Sequence, residues 1–265
     1  MPKTACQAVC TAVLTVSVVS HGHDAWLRTL LAQLAHTGAG TIAHVVVTHN
    51  CPGAAIVAPP GGWPFTLTEI ANPVPRGFGA NHNSAFLRAT TPLFAVLNPD
   101  ISLPDPAIWT ALAECASQQP VGCAYPVLRN TDGSVQDNQR EVPTPWALLR
   151  RRLLGRVETR VHWVSAAFWV VPAAAYQAVQ GFDERYFLYC EDTDFCLRLQ
   201  LAGWTLAQVP AQAVHHAQRR SHRRLQHLAW HLASLLRLWR GRPLWAYLRQ
   251  QTGSLRPPVP HKARE

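Results

Sequence analysis

The 265-residue sequence contains no C-x-x-C pair, although it has seven cysteines. An odd number of cysteines without paired spacing is typical of reduced, mostly buried thiols in a cytosolic protein, and a zinc site is the less favoured alternative. No run reaches the roughly eighteen apolar residues that a membrane-spanning helix needs. The mildly apolar N-terminus carries only Lys3 as a basic residue, which favours a buried first strand over a signal peptide.

Acidic residues are scarce, with 15 Asp and Glu against 24 Lys and Arg. The imbalance belongs to the C-terminal tail: residues 217–265 hold 11 basic residues and 1 acidic residue, whereas residues 1–216 hold 13 and 14. Basic proteins often bind nucleic acid, but here that interpretation would depend on the tail alone. We expect no nucleic-acid partner.

Apolar patterning predicts an α/β body. Residues 12–22 and 42–50 are rich in β-branched residues and predict buried strands, while residues 25–38 repeat apolar residues at helical spacing. Strand, helix and strand in this order form a βαβ unit. Such a unit implies a parallel sheet with a ligand crevice at the carboxyl ends of its strands.

The remaining elements extend this body to about His216. The pattern predicts strands at 65–73, 92–103 and 161–172, a strand pair at 204–216, helices at 106–119 and 173–182, and a glycine-rich turn entering a helix at 76–90. Residues 121–160 have few apolar periods, so we expect an irregular or lid-like region. The domain boundaries expected are a body of 1–216, a basic helical tail of 217–252, and a disordered end of 253–265.

Three carboxylates, Glu191, Asp192 and Asp194, lie within four positions after the run RYFLYC. One or two of them could cap the following helix, because acidic side chains at a helix start interact favourably with its dipole. A crowded, half-buried carboxylate also has a raised pKa, which makes it a better proton acceptor. The spacing leaves both interpretations open.

Other polar residues lie where strands are expected to end. Asp100 follows the strand FAVLNPD and could bind a divalent cation at the sheet's carboxyl edge, although Asn-Pro-Asp is also a common turn. The adjacent His215 and His216 are a weak metal signal alone. The segment GFGANHN is not G-x-G-x-x-G and no Walker lysine follows it, so a nicotinamide cofactor is disfavoured.

The order of these motifs resembles that of bacterial family-2 glycosyltransferases, particularly the rhamnosyltransferase-like members. The segments that carry the resemblance are VSVVSHG, VVVTHN, RGFGANHN, LNPDISL, WVSAAFWVVP, GFDERYFLYCEDTDFCLRLQLAGW and VPAQAVHH. The sixth is the most specific, because its Gly-Phe-Asp-Glu, Glu-Asp-x-Asp-x-x-x-Arg and Ala-Gly-Trp elements are close to a family signature. The resemblance implies a GT-A fold, a Rossmann-like mixed sheet flanked by helices, here followed by the basic helical tail.

The resemblance also implies a metal site. Asp100 would bind a divalent ion, Mg²⁺ or Mn²⁺, on the diphosphate of a nucleotide-sugar donor, and Asn98 replaces the first aspartate of the family's D-x-D motif. His216 matches the family's late metal-binding histidine, with His215 as the alternative.

The catalytic and acceptor-side residues follow from the same resemblance. Asp192 matches the catalytic base, Glu191 would tune it, and Asp194 would be a helix-start residue. Trp163 falls in the acceptor-side strand, and Ala166 stands where the family often has glycine, which would narrow the acceptor pocket.

The donor-side residues expected from the resemblance are four. Asn50 ends the second strand where the family usually has an acid that contacts the nucleotide. Gly77, Gly79 and Asn81 belong to the glycine-rich turn that resembles a phosphate cradle.

We therefore expect a metal-dependent inverting glycosyltransferase that moves a sugar, rhamnose being one candidate, to a hydroxyl of a cell-surface glycan or polyprenyl-linked acceptor. Two alternatives stay open. A sugar-nucleotide nucleotidyltransferase would need a basic glycine-rich loop after the first strand, which SHGHDAW lacks. A non-catalytic basic adaptor would bind nucleic acid or membrane through the tail alone.

The tail suggests where such an enzyme would work. The segment 219–250 places apolar residues on one helical stripe: Leu225, Leu228, Leu232, Leu235, Leu236 and Trp239. This pattern favours an amphipathic helix on an anionic membrane surface, which would make the protein cytoplasmic and peripheral at the inner face of the cell membrane. A helix packed on the body with a solvated basic face is the alternative.

Overall fold

The computed structural model describes residues 13–154, 160–216 and 224–253. Within these residues an eight-stranded mixed sheet has the order β3-β2-β1-β4-β9-β6-β10-β5. Its strands are β1 (Leu14–Ser20), β2 (Ile42–His49), β3 (Thr66–Ala71), β4 (Leu93–Leu97), β5 (Ile101–Ser102), β6 (Val121–Arg129), β9 (Phe168–Pro172) and β10 (Thr205–His215). A separate two-stranded sheet pairs β7 (Gln139–Arg140) with β8 (Trp163–Val164).

Helices cover both faces of the large sheet. They are α1 (Asp24–Thr37), α2 (Phe78–Phe86), α3 (Ile108–Ala116), α4 (Pro145–Leu154), α5 (Ala173–Ala178), α6 (Glu191–Leu201), α7 (Arg224–Arg240) and α8 (Arg242–Gly253). The core against α1 and α3 contains Leu30, Leu31 and Trp109. The opposite face packs on an aromatic core that includes Trp169 and Phe195. Because both faces are covered, central strands such as LFAVL are apolar throughout.

The sheet's directions bring several chain segments to one edge. Strands β1 to β4 run parallel, β9 runs antiparallel to β4 and β6, and β10 is parallel to β6. The carboxyl ends of β1, β2, β4, β6 and β10 therefore meet the amino end of β9. We call this line the carboxyl edge, and it confirms the expected α/β mixed sheet.

The expectation for residues 121–160 was wrong. Residues 121–129 form β6, a nine-residue strand inside the sheet, and residues 145–154 form α4. The sequence conceals β6 because Pro126 lies within it, and proline cannot donate to a strand ladder. The pairing of β6 with β10 skips from Gln208–Tyr125 to Gln212–Val127, so Pro126 lies at an irregularity of the pairing, where a proline is tolerated.

The expected strand pair at 204–216 is a single strand. Pro210 suggested a break, but β10 continues through Thr205–His215 and accommodates the proline at the same irregularity. The strand therefore runs uninterrupted to the histidines at its carboxyl end.

The C-terminal helices pack on the body. Leu235, Leu238, Leu244 and Tyr247 are buried in a third cluster with Tyr186 of the loop before α6. The expected apolar stripe therefore divides, since Leu235 is buried whereas Leu225 stays 84% exposed. The expected disordered end, apart from Gly253, lies outside the described residues.

A candidate active site at the carboxyl edge

Backbone hydrogen bonds join the segment around Asp100 to the start of β9 and to β10. After β4 ends, the Asn98 N–H donates to the Ala167 carbonyl at 2.9 Å. Strand β5 then pairs antiparallel with the end of β10, and the His216 N–H donates to the Asp100 carbonyl at 2.9 Å. Asn98, Asp100 and the two histidines therefore lie close together at the carboxyl edge.

The side chains of the two histidines differ in what they face. His215 Nε2 lies 3.4 Å from Asp100 Oδ1, and its Nδ1 is 2.8 Å from Gln136 Oε1. His216 Nε2 instead lies 2.9 Å from Ser102 Oγ, and its ring lies 4.7 Å from that of Trp26. The histidine beside Asp100 is therefore His215, the alternative in the sequence analysis, and the assignment of His216 as a metal ligand stays a prediction.

The charge of Asp100 is stabilised in place. Burial alone would raise the pKa of this carboxyl, but the hydrogen bond and positive field of His215 outweigh burial and hold the pKa below its ordinary value. Asp100 is therefore an ionised, half-buried carboxylate at neutral pH.

The pair Asp100–His215 fits a divalent ion that also binds a diphosphate. Two cis ligands at about 2.1 Å from one ion are about 3.0 Å apart, close to the observed 3.4 Å. Among the described residues, no group of three or more His, Cys, Asp or Glu side chains is placed to hold a metal ion, so protein side chains do not complete a coordination sphere here. The remaining ligands would have to come from the phosphate oxygens of a donor and from water.

Asp192 lies in the first turn of α6, against the start of β9. Its Oδ1 accepts the Thr193 N–H at 2.7 Å, and the Ala166 N–H also donates to this carboxylate. Desolvation nevertheless raises the pKa of Asp192 to about 6, because it outweighs those donors. The structure therefore places beside the segment between β8 and β9 a carboxylate that is ionised at neutral pH and can accept a proton.

Glu191, its neighbour, is nearly inaccessible. The side chain is 5% exposed, and Oε2 is buried without a hydrogen-bond partner among the described residues. Burial, and secondarily the adjacent charge of Asp192, hold the pKa of Glu191 well above its ordinary value. Burial therefore favours the protonated, neutral form of this carboxyl, which limits charge repulsion within the pair.

Asp194 has a structural role. Its Oδ2 accepts a hydrogen bond from Arg198 Nε at 2.7 Å, and the same guanidinium donates to the carbonyls of Val179 and Gly181. The pair ties α6 to the turn after α5.

The cap interpretation of the acidic cluster is wrong in detail. The N-cap residue is Cys190, with φ 64°, and no side chain caps the helix. Tyr189 is also left-handed, with φ 73°. Two successive non-glycine residues with left-handed backbone conformations cost conformational energy. Such strained residues are common near functional side chains, because the strain positions the side chain.

On the donor side, Asn50 and Asn81 are held by the protein itself. Asn50 Oδ1 accepts hydrogen bonds from the Arg76 N–H at 2.7 Å and from Asn72 Nδ2 at 2.8 Å. Asn81 Oδ1 accepts another from Asn72 Nδ2 at 2.6 Å. We call Asn50, Asn72 and Asn81, with the backbone of Arg76, the amide brace. Their assignment to a donor stays a prediction.

The two glycines of the turn are required by close packing. A Cβ at Gly77 would lie 2.9 Å from the Phe187 carbonyl oxygen, and one at Gly79 would lie 2.5 Å from Phe182 Cβ. The turn is therefore pressed against the segment that leads into α6. Donor binding by these glycines stays a prediction.

Trp163 lies in β8 and is half-buried. Its Nε1 donates to the Glu141 carbonyl at 2.9 Å, which fixes the indole on the β7–β8 sheet. An acceptor contact by Trp163 stays a prediction.

Sequence reasoning missed Asn72, Arg76 and His21. His21 follows β1, and its Nδ1 lies 3.4 Å from Cys51 Sγ and 3.3 Å from Asn50 Nδ2. No local pattern signals these contacts, because the partners are about twenty to thirty residues apart. Only the convergence of β1 and β2 at the carboxyl edge could have suggested them.

Comparison with known proteins agrees with this architecture. The family model described as glycosyl transferase family group 2 matches residues 143–255. Rhamnosyltransferase WbbL of Escherichia coli K12 is 28% identical over 243 residues, which cover 84% of this chain and 90% of that protein. N-acetylglucosaminyl-diphospho-decaprenol L-rhamnosyltransferase of Mycobacterium tuberculosis is 36% identical over 141 residues, 46% of each chain. The matched part thus spans about half the length of the mycobacterial relative.

Solved structures share the fold. A mannosyltransferase of Pyrobaculum calidifontis, solved with GDP-Man and Mn²⁺, superposes with a TM-score of 0.59 at 16% identity, covering 94% of this chain and 77% of that one. The TarS fragment 1–349 of S. aureus has a TM-score of 0.53 at 14% identity, covering 77% and 60%. The expected fold and the resemblance are therefore confirmed: the chain has the GT-A fold and is similar to family-2 glycosyltransferases, rhamnosyltransferases among them.

Proposed function

We propose that this protein is an inverting glycosyltransferase that moves a sugar from a nucleoside-diphosphate donor to an acceptor hydroxyl. The observation that carries the proposal is the placement of Asp192, with a pKa near 6, against Ala166 at the edge that also holds Asp100 and His215. A proton acceptor and a cation-binding pair at one sheet edge are the two elements that such a transfer needs.

Asp192 acts as the general base in this proposal. It takes the proton of the acceptor hydroxyl as the hydroxyl oxygen attacks the anomeric carbon from the face opposite the leaving diphosphate. The backbone N–H groups of Thr193 and Ala166 hold the carboxylate in position. Burial of Glu191 favours its protonated form, which would limit the negative charge near the departing anion.

Asp100 and His215 would hold the divalent ion, Mg²⁺ or Mn²⁺, on the donor diphosphate. When bound, such an ion neutralises the negative charge of the leaving nucleoside diphosphate. The low pKa of Asp100 keeps this carboxylate charged for the purpose. The contact between His216 and Ser102 supports His215 over His216 as the second ligand.

The names of the relatives suggest the substrates. Two rhamnosyltransferases among the relatives favour rhamnose as the transferred sugar. The mycobacterial relative is named for an acceptor that carries a diphospho-decaprenol lipid, so we propose a glycan on a polyprenyl lipid as the acceptor class. Such an acceptor would place the enzyme at the inner face of the membrane. Within the described residues, no helix combines the length and apolar character needed to cross a bilayer.

Isothermal titration calorimetry tests the donor half of the proposal. We expect one of dTDP, UDP and GDP to bind, more tightly with Mn²⁺ than with EDTA. Asp100→Ala should abolish the metal-dependent part, whereas Glu114→Ala, which removes an exposed carboxylate from α3, should leave it unchanged. Absence of binding for all three nucleotides in the wild-type protein would overturn the proposal.

A further inference from the structure

Beyond the carboxyl edge, the C-terminal helices form a second concave site with the loop before α6. It has a volume of about 680 Å³ and is lined by α6, by the corner between α7 and α8, and by the loop around Tyr186. Five arginines line it: Arg185, Arg198, Arg237, Arg240 and Arg242. We call this site the arginine cleft.

The arginine cleft is strongly positive. Only two acidic residues, Asp183 and Asp194, are among its lining residues, and each already has an arginine partner, at 2.7 Å in both pairs. The formal excess of three positive charges is therefore uncompensated within the lining. Clustered cations raise the free energy of the free protein unless an anion binds, so the lining favours an anionic ligand.

Individual guanidinium groups in the cleft are available to such a ligand. The Nη2 atom of Arg198 is buried and has no hydrogen-bond partner among the described residues. Arg240 and Arg242 are exposed and make no ion pair with a described residue, while Arg237 lies over the ring of Tyr186 at 5.9 Å. Guanidinium groups bind phosphate oxygens through paired N–H donors, so the cleft matches a phosphate group.

An apolar surface adjoins the cleft. Leu225, Leu228, Leu232 and Leu236 lie on the outer side of α7 and are 84%, 53%, 53% and 46% exposed. Leu236 also lines the arginine cleft, so this leucine row begins where the arginines end. Four exposed leucines along one helix are unusual for a surface that faces only water.

We propose that the arginine cleft binds the phosphate of an anionic phospholipid headgroup, while the leucine row enters the interface between headgroups and acyl chains. A basic cleft beside an apolar row matches such an interface, whereas a soluble phosphate would use only the arginines. The inference rests on the proposed membrane location and is independent of donor, metal and catalytic base.

Vesicle co-sedimentation of the full chain tests this inference without any substrate. We expect binding to vesicles of phosphatidylcholine with phosphatidylglycerol and much weaker binding to phosphatidylcholine alone. The double variant Arg240→Gln/Arg242→Gln should bind the anionic vesicles roughly 30-fold more weakly, since each basic residue near such a surface contributes roughly fivefold. Leu228→Gln/Leu232→Gln should also weaken binding, because the apolar contribution is lost.

The matched control is Arg28→Gln/Arg88→Gln, which removes the same charge from exposed positions on the body. If both arginine variants weakened vesicle binding equally, the arginine cleft would not be the binding site, since net charge alone would then explain binding. All variants are checked for fold by circular dichroism and thermal unfolding, which these exposed substitutions should leave close to the wild type.

Two further outcomes would also overturn the inference. Calorimetric binding of inorganic pyrophosphate in EDTA that is lost in the arginine variant, with vesicle binding unchanged, would assign the cleft to a soluble phosphate. Sedimentation velocity showing a dimer that the leucine variant dissociates, again with vesicle binding unchanged, would assign the leucine row to a second copy of the chain. None of these outcomes bears on nucleotide binding or sugar transfer, which are tested by separate assays.

Discussion

The acid turn, Glu191 to Asp194, and the amide brace are both polar and largely buried, yet they differ in how completely their atoms are hydrogen-bonded. In the brace, both polar atoms of the Asn50 side-chain amide, Oδ1 and Nδ2, have hydrogen-bond partners within 3.0 Å. In the acid turn, Glu191 Oε2 has no partner among the described residues and Asp192 has a pKa near 6. Fully bonded polar groups hold a backbone in place, whereas groups that stay incompletely bonded are available for chemistry.

The largest expected effect is a loss of sugar-transfer activity when the acid turn is changed at Asp192. Asp192→Asn keeps the shape of the side chain but cannot accept a proton, so we expect the rate of sugar transfer to fall by about 10²–10⁴-fold. Product formation from a nucleotide-sugar donor measures this. Glu114→Gln is the control, and nearly full activity of Asp192→Asn would remove Asp192 as the base.

A substitution in the amide brace should lower the free energy of unfolding. Asn50→Ala leaves the part-buried Arg76 N–H without its acceptor and the Asn72 amide without one of its two acceptors, so we expect a loss of about 1–3 kcal/mol in the free energy of unfolding. Urea denaturation measures it. The control is Asn130→Ala, because the Asn130 side-chain amide donates an exposed hydrogen bond within a surface turn. Its free energy of unfolding should fall by less than about 1 kcal/mol. A loss of nucleotide affinity at unchanged stability would instead make Asn50 a donor contact.

The two histidines at the end of β10 provide a third test. Because His215 faces Asp100, His215→Gln should weaken Mn²⁺-dependent nucleotide binding by about 10–100-fold, the range seen when even an outer-shell partner of a metal is lost. His216→Gln should change it little, since that ring contacts Ser102. The reverse order in calorimetry would restore His216 as the ligand.

The sequence contained the acid turn but hid the brace, for a physical reason. Glu191, Asp192 and Asp194 are neighbours in the chain, so their crowding is visible in a sequence. The brace joins residues that follow β2 and β3 to a residue of α2, and such contacts exist only after the sheet has formed. The pattern of β1, α1 and β2 was read correctly because apolar periodicity is local.

Strand β6 was missed for a similar reason. Its partner β10 is about eighty residues further along the chain, and the irregularity that accommodates Pro126 is visible only in the pairing. A rule against proline in strands is sound for an isolated segment and fails where the opposite strand shifts its register.

The acid limb of the pH profile is a fourth test. With the pKa of Asp192 near 6, kcat/KM should fall about tenfold per pH unit below that value, because only the ionised carboxylate accepts the proton. Rates are measured with Mn²⁺ held saturating at each pH, so that metal loss does not mimic the effect. A limb near pH 4 would contradict the desolvated environment of Asp192.

The smallest expected change in activity concerns Glu191. Because folding raises the pKa of this carboxyl, Glu191→Gln keeps the charge and shape of its favoured protonated form, and we expect transfer at pH 7 to change by less than about threefold, well under the effect of removing a general base. Glu191→Ala, which opens a cavity beneath the base, should lower stability by about 1–3 kcal/mol and serves as the contrast.

Stability against pH decides whether Glu191 is neutral. Its pKa is raised by folding, so the wild-type protein loses stability as the pH rises above the ordinary value of 4.5, where the unfolded chain releases the proton and the folded one keeps it. Glutamine has no proton to release, so Glu191→Gln should be more stable than the wild type at pH 7, and the difference should shrink toward pH 4. Urea denaturation at both pH values measures this. A variant less stable than the wild type at pH 7 would mean that Glu191 is ionised and has a partner, and the acid turn would then resemble the brace.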